Sequence, residues 1–408
     1  MRIEVPADSV FGPDNLPYGV FAPPGGPPRV GVRLGEHVID LAVALADPLF
    51  AQPELNPFLA AGPPRWHSTR ERVRELVDGQ VPDAAVHRLD TVRLDLPVRI
   101  GDYVDFYASI DHATNLGRLL RPGSEPLLPN WRHLPVGYHG RAGTVVVSGT
   151  DIVRPRGQRR TDSDTPVFGP TTRLDIEAEL GFVIGVGSPT GTSIAVDDAE
   201  AHLFGVALVD DWSARDIQAW EYQPLGPFLG KSFATSMAAW VTPLAALTHA
   251  RIPLPPQHPV PLPYLRASDP WSLDIELAVH WNGHQVSRPP YARMYWSPAQ
   301  MLAHLTANGA GTRPGDLFAS GTVSGPEPDT YGSFIEMSWG ATVPIHVGDS
   351  VRTFLEDGDE VVITATAPGP DGTRLGLGEV RGRVRGAPPR PFPAAFGAPT
   401  SGAPGPGG

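Results

Sequence analysis

No cysteine occurs in the 408 residues, which removes disulfides, thiol nucleophiles and thiolate metal sites and leaves the redox compartment open. Charge is sparse as well: 19% of residues are Asp, Glu, Lys or Arg, and they sum to −12. An acidic chain is a poor partner for nucleic acid or an anionic membrane, so neither is expected. Long apolar runs are missing. The uncharged stretch 232–248 approaches spanning length, but Pro243 and the hydroxyls of Ser232, Thr235, Ser236, Thr242 and Thr248 reject it as a membrane helix. The opening MRIEVPADSVFGPDN lacks the basic-then-apolar layout of a signal peptide, so a soluble cytoplasmic protein is the expectation. Neither G-x-S-x-G nor H-E-x-x-H occurs. GPFLGKS (226–232) fails as a phosphate loop, having three residues between its glycines where four are needed and Pro227 where an N–H should point.

What abounds is turn chemistry: 48 Pro and 45 Gly predict a β-rich fold rather than a helical bundle. The length allows two or three domains, or one large and one accessory. Residues 1–98 read as a small β domain, with two short strands around Gly35-Glu36 and a helix near 67–77. Nothing there groups catalytic residue types, so packing and oligomerisation are its expected roles. Residues 99–385 carry the chemistry. Asp357-Gly358 and Asp371-Gly372 are predicted hairpin turns. The Pro/Gly-rich residues 386–408 have no core-forming capacity and are expected to be disordered.

Several stretches gather reactive types. In VDDWSARDIQAWEYQPLGPFLGKSF (209–233) a buried strand gives way to a predicted helix over 212–222. Asp211, Arg215, Gln218 and Tyr222 then share one face, as a site wall or as a solvated stripe with an i, i+4 ion pair. Asp105, Ser109 and His112 fall at i, i+4 and i+7, where a lone histidine is structural more often than catalytic. Tyr138, His139 and Arg141 line a pocket or simply pack an aromatic loop. LDIEAEL (174–180) alternates strictly, placing Asp175, Glu177 and Glu179 on one strand face. Adjacent glutamates repel unless water or a cation bridges them, and the doubly buried continuation 181–184 argues for the cation. Asp105, Glu177, Glu179 and Asp211 make an all-oxygen set suited to Mg²⁺ or Ca²⁺. Glu336, in a predicted strand over 333–339, either faces solvent or partners a histidine.

The runs DFYASIDHATNLGRLLRPG, LLPNWRHLPVGYHGRAGTVVVSGT, LDIEAELGFVIG, DDWSARDIQAWEYQPLGPFLGKSF and RPGDLFASGTVSG together resemble the fumarylacetoacetase family. The likeness extends from DNLPYGVF to about Val384. It implies an α+β, β-rich fold with a small SH3-like N-terminal barrel and a larger mixed β-roll domain, in a homodimer. By motif, Asp105, Glu177, Glu179 and Asp211 fall on metal ligands, His112 on the general base and Glu336 on the acid that orients it. Arg215, Gln218 and Lys231 fall on stabilisers of the oxyanion and leaving group. Tyr107, Arg121, Tyr138, Gln218, Tyr222 and Thr322 fall on substrate contacts, and Lys231 and Thr235 on a second, structural magnesium. Departures are few: Asp210 stands where the family carries Asn, and Asp111 where it carries a longer polar residue.

The implied reaction is metal-dependent hydrolysis of the carbon–carbon bond of 4-fumarylacetoacetate to fumarate and acetoacetate, the last step of tyrosine and phenylalanine degradation. Water must attack a ketone and a carbanion must leave, which calls for a base, a Lewis acid and oxyanion donors. The rival readings are a diketo-acid hydrolase, decarboxylase or isomerase of the same superfamily, and a calcium-binding module without turnover. The module would leave His112, Glu336 and Lys231 without a role.

Overall fold

The computed structural model describes residues 1–161 and 165–389. Residues 390–408, most of the expected disordered tail, lie outside the described residues, and 386–389 carry no helix or strand. The class is α+β and strand-rich, built on one large mixed sheet. Its centre is Ala178–Ile184, flanked antiparallel by Leu203–Asp211 on one side and Leu317–Ala319 on the other. Tyr103–Phe106 adds in parallel beside Leu317–Ala319, and Gly137–His139 pairs antiparallel with it.

Composition explains the centre. Every residue of AELGFVI and LFGVALVDD is buried, so both faces are covered. Small residues let the neighbours close in: a Cβ at Gly181 would meet Val209 Cγ2 at 2.7 Å. The hydrophobic core runs without a break from Leu16 and Tyr18 through Phe182 and Phe318 to Val384.

The N-terminal strands Tyr18–Ala22, Arg29–Leu34, His37–Asp40 and Val86–Arg88 form an antiparallel meander. Tyr18–Ala22 also pairs with Trp240–Pro243, at Tyr18↔Val241 and Gly19↔Trp240, so the meander is an extension of the main sheet. The expected closed barrel is therefore not seen; an open sheet stands in its place among the described residues. The helix near 67–77 is present as Pro63–Asp78.

A five-stranded sheet packs behind the site. Its long hairpin, Glu360–Pro368 with Arg374–Arg385, turns at Asp371 and Gly372, which take φ of 52° and 78°, the left-handed pair that a tight hairpin needs. Asp357-Gly358 is a turn but not a hairpin, because Ser350–Arg352 pairs with Ile345–Val347 and not with Glu360–Pro368.

Three local expectations are corrected. The helix after Asp211 starts at Arg215 and ends at Glu221. Trp212 is held by its Nε1–H on Ser236 Oγ at 2.9 Å, and Ser213–Ala214 pairs with Leu174–Asp175, so those residues stay extended. Asp105 lies on a strand, not a helix face; the helix Ile110–Leu120 begins only after Ser109, whose Oγ accepts from His112 N. Glu336 lies on a helical turn, Phe334–Met337, not on a strand, a distinction that a short apolar run cannot make by periodicity alone.

Candidate active site

Sheet register gathers the four carboxylates from the ends of three strands of the main sheet. Leu203–Asp211 ends at Asp211 and Tyr103–Phe106 reaches Asp105 near its end. The antiparallel strand between them starts at Ala178, flanked by Glu177 and Glu179. One oxygen from each of Asp105, Glu177, Glu179 and Asp211 lies within 4.8 Å of the others, and all four residues are buried. Asp175 is buried too, but on the opposite errand: it takes Arg215 and backbone N–H groups. The alternation of 174–180 is broken at residues 176–177, between two strands, so these acids do not share one face of a continuous strand.

The cluster fits a hard divalent cation. Asp105 Oδ1 and Glu179 Oε1 are buried without any hydrogen-bond partner, and unpaired buried carboxylate oxygens are costly unless a cation takes them. Burial pushes the Asp105 and Glu179 carboxyls well above the ordinary range, with neighbouring acids adding to it. Burial also raises Asp211, against the pull of Lys231. Glu177 goes the other way: burial is outweighed by Lys231 and Arg215, which hold it low. Lys231 Nζ stands 2.7 Å from both Glu177 Oε2 and Asp211 Oδ2. Those carboxylates overcome burial and keep the ammonium charged. Thr235 Oγ1 donates to Asp211 Oδ1 at 2.9 Å.

Beside the cluster, His112 Nδ1 is 2.6 Å from Glu336 Oε2, and its Nε2 is 4.0 Å from Glu177 Oε1. Glu336 is held by Asn115 Nδ2 at 3.0 Å, Ser324 Oγ at 2.9 Å and Ser333 Oγ at 2.7 Å. Burial alone would raise Glu336, but His112 and these donors outweigh it and keep it low. A carboxylate so placed fixes the imidazole tautomer, with Nδ1–H toward Glu336 and Nε2 free to accept a proton.

A cavity of about 470 Å³ opens onto this group. Tyr107, Arg121, Tyr138, Gln218, Tyr222 and Thr322 all line it, together with His112, Glu177, Arg215 and Lys231. Leu116, Leu120, Leu127, Leu128 and Val136 give it an apolar wall. Arg121 donates to Pro126 O at 2.7 Å, and its Nε is buried without a partner. Arg215 reaches Glu177 Oε1 at 2.7 Å and Gln218 Oε1 at 3.1 Å, while its Nη2 is buried and unpaired. Thr322 Oγ1 is also buried and unpaired. Residues lining the cavity thus carry buried, unpaired donors at two arginines and a hydroxyl. His139 and Arg141 line a smaller cavity of about 170 Å³ beyond Tyr138 and Lys231, with Asp211, Ser232 and Thr235.

Asn115, Ser324 and Ser333 were not singled out from the sequence, and Asp175 was named only for its strand face. Asn115 had a signal, standing three residues after His112 on the same helix. Ser333 had one too, in the S-x-x-E spacing to Glu336. Asp175 stood on the acidic face of 174–180, with nothing to mark its partners, and Ser324 had no signal, since only the fold brings each to its partners.

Residues 103–385 match the family model described as fumarylacetoacetate (FAA) hydrolase C-terminal, and residues 14–97 the one described as fumarylacetoacetase N-terminal. The human fumarylacetoacetase is 45% identical across 94% of this chain and 98% of its own length. The Arabidopsis thaliana fumarylacetoacetase is 42% identical across 95% and 98%. Among solved structures, the fumarylacetoacetate hydrolase of the psychrophile Exiguobacterium antarcticum superposes with a TM-score of 0.57 at 18% identity, covering 91% of this chain and 99% of that one. That last likeness concerns the fold.

Proposed function

Because the chain belongs to the fumarylacetoacetate hydrolase family, we propose that it is a hydrolase that cleaves the carbon–carbon bond of 4-fumarylacetoacetate to fumarate and acetoacetate. The same reading makes it the last enzyme of tyrosine and phenylalanine degradation. The observation that carries it is His112, held by buried Glu336, lining one cavity with Asp105 and Glu177 of the four-carboxylate cluster. A calcium-binding module has no use for such a pair, and the decarboxylase and isomerase readings do not need a base poised to activate water.

Asp105, Glu177, Glu179 and Asp211 would hold a Ca²⁺ or Mg²⁺ ion, which when bound supplies Lewis-acid polarisation of the substrate's diketone oxygens. His112 Nε2 takes the proton from the attacking water while Glu336 holds Nδ1–H. Arg215, with Gln218 and Lys231 beside it, offers donors to the oxyanion and then to the carbanion of the departing acetoacetate. Arg121, which has no carboxylate within ion-pair distance among the described residues, suits a substrate carboxylate. Tyr107, Tyr138, Tyr222 and Thr322 complete the contacts. Four carboxylates against one divalent ion leave about two negative charges, which Arg215 and Lys231 offset.

Further parts of the reading rest on the family. They are the division at residue 98, a homodimer, and a cytoplasmic location. Among the described residues no helix is long and apolar enough to cross a membrane. A structural magnesium beside Lys231 and Thr235 belongs with them; the Lys231 ammonium cannot ligate it, so that residue would contribute its backbone. The test is direct: protein stripped with a chelator should leave the 1,3-diketone absorbance of fumarylacetoacetate unchanged, and Mg²⁺ or Ca²⁺ should restore its decay. Full turnover in excess chelator would sink the metal-dependent reading.

A further inference from the structure

Asp175 does not line the cavity, yet every oxygen lone-pair direction it offers is taken. It is fully buried. Its Oδ1 accepts from Ile176 N at 2.8 Å and Phe334 N at 2.7 Å, and its Oδ2 from Ile335 N at 3.0 Å and Arg215 Nε at 2.7 Å. A carboxylate has about four such acceptor sites. Two of the four donors are the opening N–H groups of the helical turn Phe334–Met337, and the next residue in that turn is Glu336. A third is the guanidinium that also reaches Glu177 and Gln218. The backbone adds to the link, because Asp175 pairs with Ser213 and Leu174 with Ala214, immediately before Arg215.

We propose that Asp175 is a positioning residue that locks the donor arm of the site, Arg215, to its base arm, Glu336 with His112, through one buried carboxylate. The two arms come from sequence segments more than a hundred residues apart, and the sheet alone does not fix the 334–337 turn, which belongs to no strand. Without Asp175, four donors lose their acceptor in a buried place and the turn is free to rotate. Glu336 then leaves its 2.6 Å contact with His112, and Arg215 loses the bond that sets its plane. Displacements of about 1 Å in such groups cost on the order of a hundredfold in rate.

The experiment uses Asp175→Asn in the full-length, metal-loaded protein. Asparagine keeps the shape but turns an NH₂ group toward either Arg215 Nε–H and Ile335 N–H or the pair on the other side. Two readouts are expected. The strongly downfield proton resonance of the short His112–Glu336 bond should move or disappear, and kcat should fall by about 10- to 100-fold with KM and metal affinity changed far less. In a Glu336→Gln background the same substitution should cost less than it does alone, since the two act partly through one path. The proposal rests on the roles given above to His112 and Arg215. The resonance reports on the dyad whatever the substrate is, so a wrong substrate and a wrong role for Asp175 give different results. A folded variant with the resonance in place and kcat within about twofold of the parent would overturn it. If Asp175→Asn fails to fold, Asp175→Glu keeps the charge, moves the oxygens by one methylene, and should show the same two changes. Failure of both to fold would assign Asp175 to folding only and equally overturn the proposal.

Discussion

At the scale of residues, the site turns on which nitrogen of His112 carries the proton. Glu336 is buried, accepts from two serines and an asparagine, and sits at hydrogen-bond distance from Nδ1. That leaves Nε2 as the acceptor facing the cavity. His112→Ala should therefore fold, bind the divalent ion, and lose about two to four orders of magnitude in turnover. Glu336→Gln should lose less, because the imidazole remains but is less well oriented. Steady-state kinetics on both, with a thermal melt to check folding, decides this. An alanine variant with near-parental turnover would return His112 to a packing role, and the water would need another base. His112, Glu336, Arg215 and the four carboxylates were all legible as candidates in the sequence, because residue type and family motif survive any error in local conformation. Of the groups that support Glu336, Asn115 and Ser333 carried only weak spacing signals and Ser324 none, since serine and asparagine are common and their meaning here comes mainly from proximity.

At the scale of elements, the ends of strands build the cluster, and local periodicity misplaces two of its residues. Periodicity put Asp105 and Asp211 on helices, yet Asp211 ends one strand and Asp105 stands next to the end of another, because parallel and antiparallel pairing claimed the residues before the helices could start. Glu336 went the other way, its turn anchored by a carboxylate 160 positions away in the chain. Such long-range anchors leave no local pattern. Gly321 shows how tightly the ends converge: at φ 76° its position would bring a Cβ to 2.2 Å from Phe106 O, while its N–H donates to Glu179 Oε2. The gathered carboxyls also set a pH dependence. Asp105, Glu179 and Asp211 are raised by burial and mutual repulsion, so protons bound there have to leave as a cation enters. Raised acids favour the protonated folded form. Without the ion, their contribution to stability is therefore present at low pH and is lost as pH rises through the raised values. The ion reverses that loss, so its stabilisation should grow with pH. Thermal melts with and without Ca²⁺ or Mg²⁺ at pH 5 and pH 8 should show the larger ion-dependent rise at pH 8. An equal rise at both would mean that the cluster titrates without reference to the cation.

At the scale of the whole molecule, the β-rich α+β class was readable from Pro and Gly abundance and from the buried runs. The closed N-terminal barrel was not borne out. The pairing of Tyr18 with Val241 makes the first strands an extension of the main sheet, and no composition cue distinguishes an open meander from a barrel. What the assembled molecule does is a question of which bond breaks, because superfamily rivals share the carboxylates but not the outcome. On the proposed reading, donors at Arg215, Gln218 and Lys231 would serve an oxyanion and a departing acetoacetate carbanion, and Arg121 would hold a carboxylate. Water would then add to the ketone on the fumaroyl side. The measurement is product analysis of fumarylacetoacetate turnover in ¹⁸O-water with the metal-loaded protein. One label should appear in the new fumarate carboxylate, above slow background exchange, and no carbon dioxide should accompany substrate loss. Carbon dioxide released at the rate of substrate loss, with unlabelled product, would contradict hydrolysis and make the protein a decarboxylase.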